Sequence, residues 1–295
     1  MTARTGAADG AAPRLSLVTC TLGRTEPLAR LLRSLAAQPA GAFEFVLVDQ
    51  NPPGFLDGVI AEADAGLPLT RITSPRGLSV GRNAGLSRAR GALIGFPDDD
   101  CWYDPGTVEA VLALFDDLPD TGVLIGRTLD AGGAESVTRA PPADRRITAE
   151  TALEAGNSNA LFLRRAAVER VGGFDERLGV GAGTPFGSGE ETDILLRALA
   201  AGFRADYRRD LVVRHDQPAA TVSRVEAARR IGPYARGTGA LLRKHGLGAR
   251  TGVQLIARTA LGTLKRALRG EPPAFREKTA YIAGLVAGYR RWPAP

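Results

Sequence analysis

The chain has 295 residues and a mass of 31.0 kDa, enough to bury the core of one large domain or of one domain with an appendage. Its 44% hydrophobic and 24% charged content is that of an ordinary globular protein, and no apolar run approaches the roughly 20 residues of a membrane-spanning helix. The formal charge of +6 is unevenly spread, because residues 221–295 carry 15 Lys and Arg against three acids and the preceding residues are net acidic. We therefore expect the C-terminal part to face a negatively charged surface.

Two features bear on cellular location. Residues 1–13 are small and polar and have no apolar core, so we expect a disordered tail and not a signal peptide. The two cysteines, Cys20 and Cys101, offer no disulfide framework, which suits a reducing, cytoplasmic compartment.

The first half of the chain alternates short apolar runs with segments of helical spacing. The runs predict strands at 15–19, 43–48, 69–73, 91–96 and 123–125. The spacing predicts helices around 28–35, at 55–65, at 77–89 and after residue 105, with Pro105 in the first turn. Strands separated by helices predict βαβ units and a mostly parallel sheet.

The second half opens with a Gly-, Pro- and Arg-rich surface excursion at 130–150. Beyond it the pattern predicts strands at 159–163 and 211–213 and helices at 166–171 and 194–200. A glycine-rich loop, 179–189, precedes Glu190-Glu191-Thr192-Asp193. Acidic residues in the first turn of a helix interact favourably with its positive end, so we expect at least one of these three acids to be a helix cap. A mobile, glycine-rich loop directly before an acid cluster is also what a substrate lid needs.

Three consecutive carboxylates, Asp98, Asp99 and Asp100, follow the apolar run 92–96. A buried strand that ends in acids presents them at the carboxyl edge of a sheet, where open α/β folds bind ligands. Residues i and i+2 of an extended segment project the same way, so Asp98 and Asp100 are candidates to share one divalent cation. The alternative is a solvated acidic turn, which is the usual place of an Asp cluster near Pro and Gly.

Several short motifs occur in a fixed order along the chain. They are Val18-Thr19-Cys20-Thr21, Val48-Asp49-Gln50-Asn51, the segment 77–85, Phe96-Pro97-Asp98-Asp99-Asp100, Gly172-Gly173-Phe174-Asp175, Glu190-Glu191-Thr192-Asp193 and His215. The ordered set, over roughly residues 14–218, resembles the family-2 inverting glycosyltransferases of the GT-A fold. The resemblance implies a nucleotide-diphospho-sugar transferase fold of the α/β class, with a mostly parallel central sheet flanked by helices and, here, a C-terminal helical extension.

The resemblance also implies which residues hold the nucleotide of the donor. Thr19 and Thr21 would line the nucleotide pocket, and Asp49 would bind the base or the ribose. Arg82 would face the ribose or the diphosphate, and Asp99 is placed with these nucleotide-binding residues.

A metal site follows from the same resemblance. The strand-end acids resemble the DxD motif of the family, with Asp98 near the ribose and Asp100 on Mg²⁺ or Mn²⁺. His215 is placed like a late metal- or diphosphate-binding histidine, so Asp100, Asp98 and His215 are the candidate ligands. A divalent ion would neutralise the diphosphate as it departs. Cys101 stands where many relatives carry a fourth acid.

Inverting transfer requires a base that takes the proton of the acceptor hydroxyl. Glu190-Glu191 resembles the Glu-Asp pair of the family, and the base is assigned to Glu191, beside Glu190, with Asp193 as the second candidate. Adjacent carboxylates raise each other's pKa, which suits a base that works near neutral pH. The implied mechanism is a single in-line displacement without a covalent enzyme intermediate.

Three further groups border these motifs. Asn83 is expected to brace its loop, and the polar cluster 157–159 to contact the donor sugar or the acceptor. Trp102 and Tyr103 either stack on a sugar or pack in the core. His245 lies in a basic stretch and is predicted to be on the surface.

The basic C-terminal part contains two apolar segments with helical spacing, at 253–268 and 281–289. In the first, apolar residues share one face and Arg258, Lys265, Arg266 and Arg269 share another. Such helices either lie on an anionic membrane surface or pack their apolar faces on the catalytic domain and leave the basic residues solvated.

The sequence thus predicts a metal-dependent inverting glycosyltransferase that uses a nucleoside-diphosphate sugar and a hydroxyl acceptor on a glycan, a lipid-linked molecule or a small molecule. We expect a tail at 1–13, a GT-A catalytic domain at 14–220 and a basic helical extension at 221–295, located in the cytoplasm or at the inner face of the membrane. The alternatives are a sugar-nucleotide-binding protein without transferase activity and a nucleotidyltransferase of similar core, although residues 21–25 match the latter's phosphate loop poorly. We expect no nucleic-acid partner, since no recognition motif or aromatic platform is present.

Overall fold

The computed structural model describes residues 12–63, 66–137, 139–155, 157–217, 224–268 and 275–293. The predicted tail at 1–13 lies outside these residues except for its last two. The strands are β1 (Leu15–Thr21), β2 (Phe43–Asp49), β3 (Leu69–Thr73), β4 (Leu93–Gly95), β5 (Cys101–Trp102), β6 (Thr121–Leu129), β7 (Arg145–Ile147), β8 (Leu161–Arg164) and β9 (Arg204–His215). The helices are α1 (Glu26–Ala36), α2 (Asp57–Glu62), α3 (Leu78–Leu86), α4 (Thr107–Asp117), α5 (Arg165–Val171), α6 (Glu190–Ala200), α7 (Arg224–Lys244), α8 (Gly248–Leu268) and α9 (Phe275–Arg291).

The predicted elements are present with shifted ends. The strand at 69–73 is confirmed, and α2 is shorter than the predicted helix at 55–65. Pro105 is not in the first turn of α4, because Gly106 precedes that helix with a left-handed backbone (φ 82°), a conformation that favours glycine. The excursion at 130–150 contains the short strand β7.

The described strands form one mixed sheet in the order β3-β2-β1-β4-β8-β6-β9-β5, with β7 paired to β9. The pairs β1–β2, β2–β3, β1–β4 and β6–β9 are parallel. The pairs β4–β8, β6–β8, β5–β9 and β7–β9 are antiparallel, so the sheet is less parallel than the sequence predicted. Two of these pairs involve β5 and β7, whose two and three residues are too few for an apolar run to reveal. The other two arise because β8, in the middle of the sheet, runs antiparallel to both of its neighbours, and an apolar run does not indicate the direction of a strand.

The central strands are covered on both faces. Every residue of β2 is buried, as expected for a strand between two helical layers. One face of the sheet packs on α1 and α4, and the other packs on α5 and α6. Glu44 is one of the two charged residues of β2, and its carboxylate accepts hydrogen bonds from Ser16 Oγ (2.7 Å) and Arg90 Nε (2.9 Å), which offsets its desolvation.

Parallel pairing brings several strand ends to one edge of the sheet. Thr21 at the end of β1 is in register with Asp49 at the end of β2, and Gly95 at the end of β4 is in register with Leu17. The chain that leaves β4 therefore delivers Asp98 to the edge at which β1 and β2 also end.

Helices α7 and α9 pack tightly against each other and against the sheet domain. A Cβ added at Gly239 would overlap the carbonyl oxygen of Leu285, so only glycine permits this close approach. Trp292, just after α9, meets Phe186 edge to face with ring centroids 5.0 Å apart. Packing of the C-terminal segment on the sheet domain, one of the two predicted arrangements, is thus present for these helices.

In the described part of the chain, none of the helices is both long enough and apolar enough to cross a membrane.

Candidate active site

The three strand-end carboxylates are held by different partners. Asp98 Oδ1 lies 3.1 Å from Arg82 Nη2, and Asp99 Oδ1 lies 2.6 Å from Arg24 Nη1. Asp100 bonds on both oxygens, at 2.5 Å from Arg24 Nη1 and 3.1 Å from His215 Nε2. The alternative of a solvated acidic turn is therefore wrong, because all three carboxylates are ion-paired and Asp99 and Asp100 are largely buried. Arg24, which lies in the loop between β1 and α1, has a role that no sequence motif indicated.

Asp98 is held by the polar cluster that precedes β8. Its backbone N–H donates to Asn159 Oδ1 (2.9 Å), and Ser158 Oγ lies 3.5 Å from its carboxylate. Burial raises the pKa of Asp98 to about 6, an effect that the guanidinium of Arg82 partly opposes. The cluster at 157–159 thus positions Asp98, a function that the sequence did not predict.

Arg82 joins the two acid clusters. Its Nη1 lies 3.2 Å from Glu190 Oε1 while its Nη2 bonds Asp98, and the side chain is 2% exposed. The guanidinium carbon also lies 5.3 Å from the ring centroid of Phe174. Arg82 was predicted to face the ribose or diphosphate, but this buried bridge leaves its guanidinium almost no accessible surface for a ligand.

Glu190 and Glu191 begin helix α6, where Glu190 is buried and Glu191 is partly buried. Gly189, with a left-handed backbone, leads into the helix, so both carboxyl groups fall in its first turn. Glu190 Oε2 and Glu191 Oε2 are buried and have no hydrogen-bond partner among the described residues. Burial raises the pKa of Glu191 to about 8, and the charge of Glu190 adds to the rise. The predicted effect of the neighbouring carboxylate is present, but desolvation is the larger cause.

Asp193 differs from its two neighbours because it is fully paired. Its carboxylate bonds Arg197 Nε (2.8 Å), Lys244 Nζ (2.7 Å) and His245 Nε2 (2.8 Å) and has no exposed surface. Burial raises its pKa, but these partners outweigh burial and hold the pKa of Asp193 below its ordinary value. The arrangement is that of a structural anchor and leaves little capacity to accept a proton from an acceptor. The prediction that His245 lies on the surface is wrong, because that residue joins this buried network.

The predicted nucleotide-binding residues line the ends of β1 and β2. Thr19 Oγ1 donates to the carbonyl oxygen of Pro97 (2.8 Å), and Thr21 is buried beside it. Asp49 is also buried, and Arg71 of β3 donates to its Oδ2 from Nη2 (2.6 Å) and Nε (3.0 Å). Asp49 thus keeps its place at this edge, but both of its oxygens have partners, since Oδ1 accepts from Asn51 N (2.9 Å) and Asn51 Nδ2 (2.8 Å).

Two smaller predictions are settled by contacts. Asn83 braces its loop as expected, since Asn83 Oδ1 accepts from the Phe174 N–H (2.8 Å) and Asn83 Nδ2 donates to the Phe174 carbonyl oxygen (3.0 Å). Tyr103 is buried in the core. Trp102 is partly buried, and the guanidinium of Arg30 stacks on one face of its ring at 4.0 Å from the centroid.

Within the described ranges, no three His, Cys, Asp or Glu side chains converge in an arrangement that could hold a metal ion. Asp100 and His215 lie side by side, whereas Asp98 is turned toward Arg82. A carboxylate suits Mg²⁺ or Mn²⁺ when other oxygens complete the shell, whereas an imidazole is a ligand that transition-metal ions accept more readily than Mg²⁺. Arg24, which pairs with Asp99 and Asp100, shows that a positive charge is favourable at these acids. The donor set therefore fits a cation that shares its coordination with a ligand such as a diphosphate.

Comparison with known sequences gives a family and distant relatives. The family model described as Glycosyl transferase family 2 matches residues 16–170. The chain is 27% identical over 156 residues to a pre-mycofactocin glycosyltransferase of Mycobacterium tuberculosis, covering 48% of this chain and 30% of that protein. It is 29% identical over 108 residues to an uncharacterized glycosyltransferase of Haemophilus influenzae, covering 36% of each. The chain thus spans about a third of the length of these curated relatives.

Comparison with solved structures gives the fold. The mannosyltransferase PcManGT from Pyrobaculum calidifontis, in complex with GDP-Man and Mn²⁺, matches with a TM-score of 0.64 at 17% identity, over 95% of this chain and 88% of that one. Residues 1–349 of TarS from S. aureus, in complex with UDP-GlcNAc, match with a TM-score of 0.57 at 18% identity, over 94% and 89%. The chain therefore has the GT-A fold and belongs to glycosyl transferase family 2.

Proposed function

We propose that this chain is a metal-dependent inverting glycosyltransferase that moves a sugar from a nucleoside-diphosphate sugar to an acceptor hydroxyl. One observation carries the proposal: Arg82 joins two buried acid clusters, at 3.1 Å from Asp98 and 3.2 Å from Glu190. The first cluster has the carboxylates that a cation and diphosphate require. The second has Glu191, whose pKa is raised and whose Oε2 has no hydrogen-bond partner among the described residues. A transferase needs both functions within one site.

The donor is assigned to the edge formed by β1, β2 and β4. Solved structures of the same fold contain GDP-Man with Mn²⁺ or UDP-GlcNAc, which supports a nucleotide-sugar donor here. Thr19, Thr21, Asp49, Asp98 and Asp99 would line the nucleotide. Asp100 and His215 would hold Mg²⁺ or Mn²⁺, which, when bound, stabilises the charge of the departing diphosphate.

Glu191 is assigned as the base. The acceptor oxygen forms a bond to the anomeric carbon while the bond from that carbon to the diphosphate oxygen breaks, and its electron pair leaves on the diphosphate. The acceptor proton passes to the Glu191 carboxylate, and a single displacement inverts the anomeric configuration. A carboxyl group with a pKa of about 8 is well matched to this proton transfer near neutral pH.

The experiment is a screen of UDP-, GDP- and dTDP-sugars with Mn²⁺ or Mg²⁺, in which release of the nucleoside diphosphate is measured. We expect turnover of at least one donor that stops when the metal is chelated. Asp100→Asn should abolish metal-dependent donor binding in calorimetry, whereas Asp116→Asn, a change at an exposed acid of α4, should not. Metal-independent turnover, or unchanged donor affinity of Asp100→Asn, would contradict the proposed metal role.

We also propose that α8 makes a peripheral contact with an anionic membrane, which suits a lipid-linked acceptor. Val253, Leu261 and Leu268 are 63%, 52% and 78% exposed, and their spacing places them on one side of a helix that contains no acid. Arg269, which the sequence placed on the basic face, lies outside the described residues. The full chain should co-sediment with phosphatidylglycerol vesicles but not with phosphatidylcholine vesicles.

The matched variants for that experiment replace exposed apolar residues by aspartate. Val253→Asp combined with Leu261→Asp should abolish co-sedimentation, while Phe55→Asp, at an exposed position beside α2, should not. Equal binding of both variants would end the membrane hypothesis without affecting the transferase assignment.

A further inference from the structure

Arg24 lies in the loop between β1 and α1 and reaches two of the three strand-end carboxylates. Its Nη1 lies 2.6 Å from Asp99 Oδ1 and 2.5 Å from Asp100 Oδ2. A single nitrogen of the guanidinium therefore bridges two carboxylate side chains, which are 7% and 17% exposed. Asp100 is also the carboxylate that the proposed function assigns to a divalent cation, so Arg24 and that cation share one binding partner.

Both carboxylate oxygens of Asp100 have partners. Oδ2 pairs with Arg24, and Oδ1 lies 3.1 Å from Nε2 of His215. The two partners differ in how they respond to a cation. A neutral imidazole has a lone pair and can turn from a partner of Asp100 into a metal ligand, whereas a guanidinium has no lone pair to offer. A divalent cation at Oδ2 of Asp100 therefore has to displace Arg24.

The side chain of Arg24 is free to move away, while its backbone is fixed. The side chain is 39% exposed, whereas that of Arg82, which pairs with Asp98, is 2% exposed. Gly23, directly before Arg24, has a left-handed backbone (φ 74°), and its N–H donates to Asn51 Oδ1 (2.5 Å). The loop thus holds Arg24 at the edge of the sheet, from which its side chain reaches either the carboxylates or the solvent beside them.

The cost of displacing Arg24 depends on what binds together with the cation. A cation that binds alone breaks the ion pair with Asp100 and leaves the guanidinium to water. A diphosphate has negatively charged oxygens to which a guanidinium donates well, so it offers Arg24 a new partner and offsets the loss. Because coupling of this kind is reciprocal, the diphosphate raises the affinity for the cation by the same factor by which the cation raises the affinity for the diphosphate.

We propose that Arg24 is a tethered counter-ion, which excludes a divalent cation from Asp100 unless a diphosphate binds with it. The inference rests on the proposed function and adds to it the origin of the coupling between metal and nucleotide. The two ligands then bind as a pair, because the charge of Arg24 at Asp100 makes the site a poor one for the cation alone. Removal of Arg24 should therefore improve binding of the metal by itself.

The test measures equilibrium binding of Mn²⁺ and does not depend on turnover. The EPR signal of free Mn²⁺ would be followed in titrations of the full chain, with and without saturating UDP or GDP, and corrected for the Mn²⁺–nucleotide complex in solution. The wild-type protein should bind Mn²⁺ at least about tenfold more tightly with one of these nucleotides. Arg24→Gln should bind Mn²⁺ alone at least about tenfold more tightly than the wild-type protein does, which is the scale of one hydrogen bond between charged groups. Addition of nucleotide should then tighten Mn²⁺ binding by less than about threefold.

A second arginine beside Asp100 provides the matched control. Arg30 Nη2 donates to the backbone carbonyl oxygen of Asp100 (3.3 Å) and pairs with Asp216, and its side chain is 33% exposed. Arg30→Gln removes a positive charge from the same neighbourhood without freeing the carboxylate of Asp100, so it should change the affinity for Mn²⁺ by less than about threefold. Arg24→Lys keeps the charge and should bind Mn²⁺ alone more weakly than Arg24→Gln does. Equal gains in Arg24→Gln and Arg30→Gln, or no gain in Arg24→Gln, would overturn the inference.

The outcome is separable from that of the proposed function. Nucleotide-dependent Mn²⁺ binding that is the same in Arg24→Gln and in the wild-type protein, together with donor turnover, would refute the inference and leave the transferase assignment in place. Tight binding of Mn²⁺ alone by Arg24→Gln, without turnover of any donor in the screen by the wild-type protein, would refute the transferase assignment and leave the role of Arg24 in place. Failure of both proteins to bind Mn²⁺ with either nucleotide would refute the metal site and the inference together.

Discussion

Replacement of Glu191 by glutamine tests the assignment of the base, because it removes the ionisable group and keeps nearly the same volume. The pKa of Glu191 is raised to about 8, so at pH 7 only about a tenth of the protein carries the ionised base. The wild-type kcat/KM should therefore rise about tenfold from pH 6 to pH 7 and level off above pH 8. Glutamine cannot take the proton, so kcat/KM should fall by at least about 100-fold and lose this inflection.

The assay is release of the nucleoside diphosphate from pH 5.5 to 9.5, with acceptor present and with donor affinity measured separately by calorimetry. Donor affinity of Glu191→Gln should match that of the wild-type protein. Asp193→Asn is the matched control, since it removes a nearby charge that is already paired with Arg197, Lys244 and His245. An inflection near pH 8 that survives in Glu191→Gln, or a variant within about tenfold of wild-type activity, would refute the assignment. Loss of the inflection in Asp193→Asn alone would move the base to Asp193.

Three further predictions concern stability. The folded state keeps a proton on Glu191 that the unfolded chain releases near the ordinary glutamate pKa of 4.5. The stability of the wild-type protein should therefore fall as the pH rises from 4.5 to about 8. Thermal melts at pH 5 and pH 9 should show that Glu191→Gln lacks this contribution. Asp193→Ala should cost about 3–5 kcal/mol in urea unfolding, because it removes the buried carboxylate that Arg197, Lys244 and His245 share, although Lys244 keeps Asp175 as a partner; a cost below about 1 kcal/mol would show that the network is not buried in solution. Gly237→Ala should cost about 1–3 kcal/mol, because its Cβ would force Ser188 away from α7. In the control Gly232→Ala, the Cβ would meet only the flexible end of Arg236 at 3.4 Å, so this change should be neutral or stabilising. Equal changes in stability for the two variants would argue against the close contact of Gly237 with Ser188.

The candidate site could be predicted in its parts from the sequence. The period of apolar residues predicted most strands and helices, though not β5, β7 or α7, so the position of Asp98 after β4 and of Glu190 at the start of α6 followed from local pattern alone. The expectation that both clusters serve one site came from the resemblance to a family. Nothing in the spacing requires Arg82 to reach Glu190, which lies 108 positions later in the chain.

The sequence by itself determined the local structure and the types of side chain at the edge of the sheet, because both depend on neighbours within one turn or one strand. Only the tertiary structure decided which charges neutralise one another: Arg82 between Asp98 and Glu190, Arg71 on Asp49, and His245 on Asp193 across 52 residues. Pairing of this kind depends on packing of elements far apart in the chain, and burial then sets the pKa of what remains unpaired. For that reason the same first turn of α6 yields a structural anchor in Asp193 and a candidate base in Glu191.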